Sequence, residues 1–182
     1  DVDAAVLNVP GAAILPMIEA CARRNVGGAI VFASGFAEAG EQGRQLQARI
    51  AAICREAGIA LLGPNCLGFA NFVDGIALTF EPTQPAPIGQ RRSVAVIAQS
   101  GATASNIRAA MQGRGISVAL SVATGNEAVV DGSDLIDFIV AQGQAQAIGL
   151  YAVQISDPLR FLAAAKRAGS AGVPIGTLQP GR

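Results

Sequence analysis

The 182-residue sequence contains no histidine. Within this chain that excludes a Ser-His-Asp triad, a Cys-His pair, a His-ligated zinc site and a histidine general base. Lysine is nearly absent too: Lys166 is the only one, against twelve arginines. No glycine loop precedes it, so a Walker-type ATP site is excluded. Charge is sparse, with 14% of residues charged and thirteen of each sign. A surface for nucleic acid or for an anionic membrane needs clustered excess Lys and Arg, so neither partner is expected. No apolar run reaches the roughly 18 residues of a membrane helix, and no basic-then-apolar leader opens the chain. Chemistry is left to backbone amides, carboxylates and small polar side chains.

What is present points to a globular chain with a real core: 51% of residues are hydrophobic, and 36 alanines and 22 glycines keep the mean residue small. The three cysteines, Cys21, Cys54 and Cys66, form no CxxC pair. An odd, widely spaced set suggests reduced thiols and a cytoplasmic setting. Cys21 and Cys54 fall on apolar helix faces and read as core. The chain opens at Asp1, directly into an apolar run, and is expected to be a fragment or a trimmed product.

Short apolar runs alternate with amphipathic stretches, the pattern of parallel α/β layers. Residues 4–9 read as a strand; Ile14, Met17, Ile18 and Cys21 stripe a helix; 28–33 form a second strand. Leu46, Ile50 and Ile53 stripe the next helix, which Gly58 closes before a strand at 59–62. Residues 81–92 hold three of the nine prolines and no apolar period, and read as an extended linker and domain boundary. The alternation then restarts: strands at 93–98, 116–122, 147–153 and 173–178, with helices at 103–113, from Ser133, and from Asp157-Pro158. The expected fold is α/β with two parallel-sheet units: residues 1–80, a linker at 81–92, and residues 93–182. The first is incomplete at its front and the second at its end.

In such sheets ligands meet the loops at the carboxyl ends of the strands. The strongest local candidate is Gln99-Ser100-Gly101-Ala102-Thr103, where a buried strand runs through Ser-Gly directly into a helix. The free amides of a first helical turn, the helix dipole and two hydroxyls converge there, which suits a phosphate. Helix capping by Ser100 or Thr103 explains the same residues equally well. A nucleophile elbow is excluded, because Ala98 stands at its first glycine. Gly113-Arg114-Gly115 follows a helix and precedes a strand, so it reads as a turn and not a dinucleotide fingerprint. Gly125-Asn126-Glu127 with Asp131 and Asp134 reads as a turn before a helix with an acidic first turn, ahead of a cation site. No metal site is expected, and Cys66 reads as a small loop residue ahead of a reactive thiol.

Taken together, three blocks resemble one family: Gly-Pro-Asn-Cys-Leu-Gly at 63–68, Ala-Gln-Ser-Gly-Ala at 98–102, and Thr-Gly-Asn-Glu-Ala-Val-Val-Asp at 124–131. The chain resembles the NDP-forming acyl-CoA synthetases, relatives of the succinyl-CoA synthetase α-subunit. Val9-Pro10, Ser34 to Glu38 and Gln179 to Arg182 fit the same order. The resemblance implies a partial Rossmann-like CoA-binding domain followed by a flavodoxin-like ligase domain, with CoA bound by Val9, Pro10, Ser34, Gly35, Pro64, Asn65 and Cys66. It implies that Ser100, Gly101, Ala102 and Thr103 receive the phosphate of a phosphohistidine, and that Asn126, Glu127 and Gln154 support the site residues without touching the ligands.

The family's histidine falls beyond the segment matching Gln179 to Arg182, so no catalytic residue is expected in this chain. The family's Leu-Tyr-x-Glu reads here Leu150-Tyr151-Ala152-Val153. The implied partners are CoA, a small carboxylic acid and an ATP-grasp subunit or domain that holds ATP/ADP and Mg outside this chain, with homo-oligomerisation left open. The implied activity is that of one portion of an acid–CoA ligase. A non-catalytic CoA- or acyl-CoA-sensing module is the alternative, and a nucleotide-binding oxidoreductase is disfavoured by the missing GxGxxG.

Overall fold

The computed structural model describes residues 2–83, 88 and 93–180, which divide into two compact units. The first comprises residues 1–68 and 124–131. Its strands β1 (Ala4–Leu7), β2 (Gly28–Val31) and β3 (Ala60–Leu62) pair in parallel in that order. Helices α1 (Gly11–Arg23) and α2 (Glu41–Ala57) make the two crossovers. Because the order runs in one direction, right-handed crossovers place both helices on the same face. Ile14, Ile18 and Cys21 of α1 meet Ile50 and Cys54 of α2 over Leu7, Val31 and Leu61. The helical spacing read from the sequence is the spacing of this core. Gly58, in the left-handed region at φ 70°, ends α2.

Residues 124–131 reach this unit from far along the chain. The amides of Asn126, Ala128 and Val130 donate to the carbonyls of Pro64, Gly63 and Leu61, so the segment runs antiparallel beside β3. Ala128 is buried in the core, and the Arg55 guanidinium donates to its carbonyl at 2.8 Å.

The second unit comprises residues 69–123 and 132–182. Its sheet has the order β5-β4-β7-β6-β8-β9. Strands β6 (Ser93–Ala98), β7 (Ser117–Ala123), β8 (Ala147–Tyr151) and β9 (Ile175–Leu178) are parallel, joined by α3 (Gly101–Gln112), α4 (Gly132–Gln142) and α5 (Pro158–Ser170). The chain leaves β6 for β7 on one side and then crosses to β8 on the other. That reversal is the topological switch point of a flavodoxin-like sheet, and it lies between β6 and β8.

Two features differ from the sequence reading. Residues 68–79 form a hairpin, β4 (Gly68–Asn71) and β5 (Ile76–Thr79), which joins the second sheet and makes it mixed. The first unit was expected to run to residue 80, yet the compact units divide between Gly68 and Phe69. The reason is that β4 lies beside β7, the Phe72 amide donates to the Ala119 carbonyl at 2.8 Å, and Phe72 packs with Val96 and Val118. The Asn71 carboxamide accepts from the amides of Val73 and Asp74 and donates to the Asp74 carboxylate, which closes a tight turn between the strands. The second feature is the expected linker at 81–92. Its described part is docked, since Glu81 accepts hydrogen bonds from Ser105 and Arg108, and Ile88 packs on the core around Phe72 and Val96. Residues 84–87 and 89–92, including Arg91 and Arg92, lie outside the described residues.

Candidate functional site

In the first unit the loops at the carboxyl ends of all three strands converge. Gly11, at the start of α1, lies so close to the β2 loop that a Cβ there would sit 3.1 Å from the Ser34 carbonyl. The Asn65 amide donates to the Ala33 carbonyl at 2.9 Å, which ties the β3 loop to the β2 loop. Pro10, Ser34, Gly35 and Asn65 are exposed, whereas Val9 is half-buried against the core and Pro64 and Cys66 are buried. Cys66 points inward: its thiol lies 3.4 Å from the Val31 carbonyl, it is 3% exposed, and burial pushes it up to about 11. Its side chain supports the loop from beneath as a neutral thiol and offers no thiolate to a ligand.

A polar network joins these loops. Glu38 accepts from the amides of Gly35 (2.6 Å) and Phe36 (3.2 Å) through one carboxylate oxygen. The Asn126 carboxamide donates to its other oxygen at 2.5 Å and to Gln47 Oε1 at 2.9 Å. On its acceptor side Asn126 receives the Asn65 carboxamide at 3.3 Å. Gln47 Oε1 also accepts from the Ala37 amide. Burial alone would raise the Glu38 carboxyl, but hydrogen bonds from Asn126 and the loop amides outweigh it and hold the group below its ordinary value. Glu127 turns back on its own loop and accepts from the Thr124 hydroxyl at 2.8 Å.

Sequence reasoning named neither Glu38 nor Gln47 as site residues. For Glu38 a signal was there, because a carboxylate three residues beyond a free amide is the spacing of a cap. Gln47 is placed by tertiary packing alone.

In the second unit the turn from β6 into α3 stands at the switch point. Ser100 caps α3: its hydroxyl accepts from the Thr103 amide at 3.4 Å and from the Thr103 hydroxyl at 3.0 Å. The amides of Gly101 and Ala102 make no hydrogen bond with the described residues, as expected for a first helical turn. Capping is therefore realised, and two amides are left over. Across the same edge Gln99 grips the turn after β8. Its Oε1 accepts from the amides of Val153 (2.7 Å) and Gln154 (3.0 Å), and its Nε2 donates to the Gln154 carbonyl at 2.6 Å. Gln154 thus enters through its main chain, and its side chain is exposed, as is that of Val153 at 57%. Gln99 was part of the resemblance yet carried no assigned role.

No group of three or more Cys, Asp or Glu is placed to hold a metal ion among the described residues. Of the carboxylates considered for a cation, Asp134 pairs with Arg160. No helix among the described residues is long and apolar enough to cross a membrane.

Residues 91–182, the stretch carrying the switch-point sheet, match the succinyl-CoA ligase-like flavodoxin domain. The chain belongs to that family. Residues 1–71 match a CoA binding domain, so a CoA-binding domain precedes a flavodoxin-like ligase domain, and the kinship with NDP-forming acyl-CoA synthetases holds. Among curated relatives, the chain is 38% identical over its whole length to a trans-feruloyl-CoA synthase of an unknown prokaryotic organism, covering 26% of that protein. It is 30% identical over 91% of its length to the ADP-forming acetate–CoA ligase I of Archaeoglobus fulgidus, covering 24% of it. Among solved structures, one from Pyrococcus horikoshii OT3 superposes with a TM-score of 0.90 at 28% identity, over all of this chain and 40% of that one. The dinucleotide-forming acetyl-coenzyme A synthetase 1 of Ca. Korarchaeum cryptofilum, solved with phosphate and ADP, gives a TM-score of 0.87 at 29% identity, over 98% of this chain and 37% of that one. The ligase-family chain thus spans about a quarter of these curated relatives.

Proposed function

We propose that this chain is the CoA-binding and phosphoryl-docking portion of an ADP-forming acid–CoA ligase. The observation that carries the reading is the succession of a CoA-binding domain at 1–71 and a ligase domain at 91–182, in a chain matched end to end by an acyl-CoA synthase. On this reading the exposed loops at Pro10, Ser34-Gly35 and Asn65 face CoA, with Val9, Pro64 and Cys66 beneath them. The Ser34 hydroxyl and the Asn65 carboxamide can exchange hydrogen bonds with the amides of a pantetheine arm. The leftover amides of Gly101 and Ala102, at the positive end of α3, face a phosphoryl group carried in on a histidine from outside residues 1–182. ATP/ADP and Mg are held by an ATP-grasp domain or subunit, and the acid is a small carboxylate. The three free cysteines, all buried, support a cytoplasmic setting.

Calorimetry on the full-length protein tests the first half of this reading. CoA is expected to bind at one site, and Asn65→Ala to weaken it about tenfold, the worth of one to two hydrogen bonds. Heat from neither protein would overturn the reading. A second reading, a CoA-sensing module without ligase activity, is favoured by Val153, which stands where the resemblance implies a glutamate. Acyl-CoA formation from acid, CoA and ATP by the full-length protein separates the two.

A further inference from the structure

The loop network of the first unit has more order than its burial explains. Its hydrogen bonds are exposed or only partly buried, and bonds of that kind add little to stability. Yet positive-φ residues gather here: Gly35, Gly63, Asn65, Gly125 and Glu127. Asn65 and Glu127 occupy that region without being glycine, a conformation that persists only where surroundings over-determine it. Gly125 leaves no choice of residue, because a Cβ would stand 2.3 Å from the Pro64 carbonyl and 2.5 Å from that of Asn65. The segment 124–131 is thereby pressed against the β3 loop with its main chain, and Asn126 is the side chain it delivers.

We propose that Asn126 is the positioning residue of the CoA-facing loops. Its amide nitrogen holds Glu38, and through Glu38 the amides of Gly35 and Phe36. The same nitrogen holds Gln47, which receives the Ala37 amide. Its oxygen holds Asn65, the exposed residue of the β3 loop. One carboxamide therefore fixes the β2 loop and the β3 loop relative to each other. Glu38 also occupies the Gly35 and Phe36 amides, so this loop turns no free amide pair toward an anion. What it can offer is the Ser34 hydroxyl, and a neutral part of the ligand, such as the pantetheine arm, matches that. The proposal rests on the CoA reading above.

The test is Asn126→Ala in the full-length protein, followed by hydrogen exchange and by kinetics. The main-chain bond from residue 126 to Pro64 survives the substitution, so the unfolding midpoint should stay within about 2 °C of wild type. Amides of residues 35–37 and 65 are expected to exchange at least tenfold faster, while those of α1 stay unchanged. KM for CoA is expected to rise about tenfold, as for the loss of one charge-assisted hydrogen bond, with kcat and KM for the acid unaffected. Asn126→Gln, which keeps the amide, should recover part of the exchange protection. Unchanged exchange at residues 35–37 would overturn the proposal, as would mobilised loops with an unchanged KM for CoA. If wild type binds no CoA, the functional reading has failed, and the exchange result alone decides whether Asn126 orders the loops.

Discussion

Gly43 occupies the first turn of α2 with its α-carbon against the main chain of Phe36; a Cβ there would lie 1.9 Å from the Phe36 carbonyl oxygen. In an exposed helix, Gly→Ala gains up to about 1 kcal/mol from reduced backbone entropy. Here the sign reverses. The obstructing atom is backbone, and Phe36 itself is fully buried, so neither side can give way cheaply. Gly43→Ala is expected to destabilise the protein by about 2–3 kcal/mol, in the range of overpacked cores, measured as a lowered urea midpoint. An unchanged or raised midpoint would show that the 34–40 loop moves freely, and the ordered loop described above would fall with it. Gly43 makes room for the loop that immediately precedes its own helix, whereas the atoms that Gly125 makes room for, the carbonyls of Pro64 and Asn65, arrive from sixty residues earlier in the chain.

At the scale of elements, the start of α3 separates capping from ligand binding. Ser100→Ala removes the acceptor of the Thr103 amide and hydroxyl, and should cost about 1 kcal/mol of stability, the usual worth of such a cap. Differential scanning calorimetry reads it as a small fall in midpoint; no fall would mean that the long 3.4 Å bond contributes nothing. Elements of this kind were legible in the sequence because their signals are local. β6 was read to the residue from Ser93 to Ala98, since a fully buried parallel strand is a continuous apolar run. The α5 start was read from Asp157-Pro158, and Asp157 does accept from the Arg160 amide at 2.9 Å. The hairpin β4–β5 was missed because its turn depends on the Asn71 side chain and its place in the second sheet on β4 lying beside β7, which no local window contains. The 124–131 segment was read as a turn before a helix, which is true of its end at Gly132. Its role as an antiparallel edge beside β3 is set by hydrogen bonds spanning more than sixty positions, which no local window contains. The same distinction divides the site: the loops could be located from strand ends, but the network through Glu38, Gln47 and Asn126 could not.

For the molecule as a whole, a CoA-binding domain at 1–71 precedes a flavodoxin-like ligase domain at 91–182, and none of the 182 residues is a histidine. On the function proposed above, the rate of the ligase chemistry turns on position 153. On that proposed function, the glutamate that the resemblance implies would hold the imidazole of an incoming phosphohistidine, and a carboxylate stabilises a cationic imidazole as an apolar group cannot. Val153 is 57% exposed, so a glutamate fits there without burying its charge. The main chain at 153 is held by Gln99, so the direction of a longer side chain is set by a turn already in place. In the full-length protein Val153→Glu is therefore expected to raise the rate of acyl-CoA formation roughly tenfold or more, a modest share of what an oriented acid–base partner contributes. KM for CoA should not change, since the loops proposed to face CoA belong to the other unit, and the unfolding midpoint should not change, since the new side chain stays in water. A higher rate with both controls constant identifies residue 153 as the limit on turnover. An unchanged rate would show that valine at this position does not limit turnover, and the role proposed for residue 153 would fall.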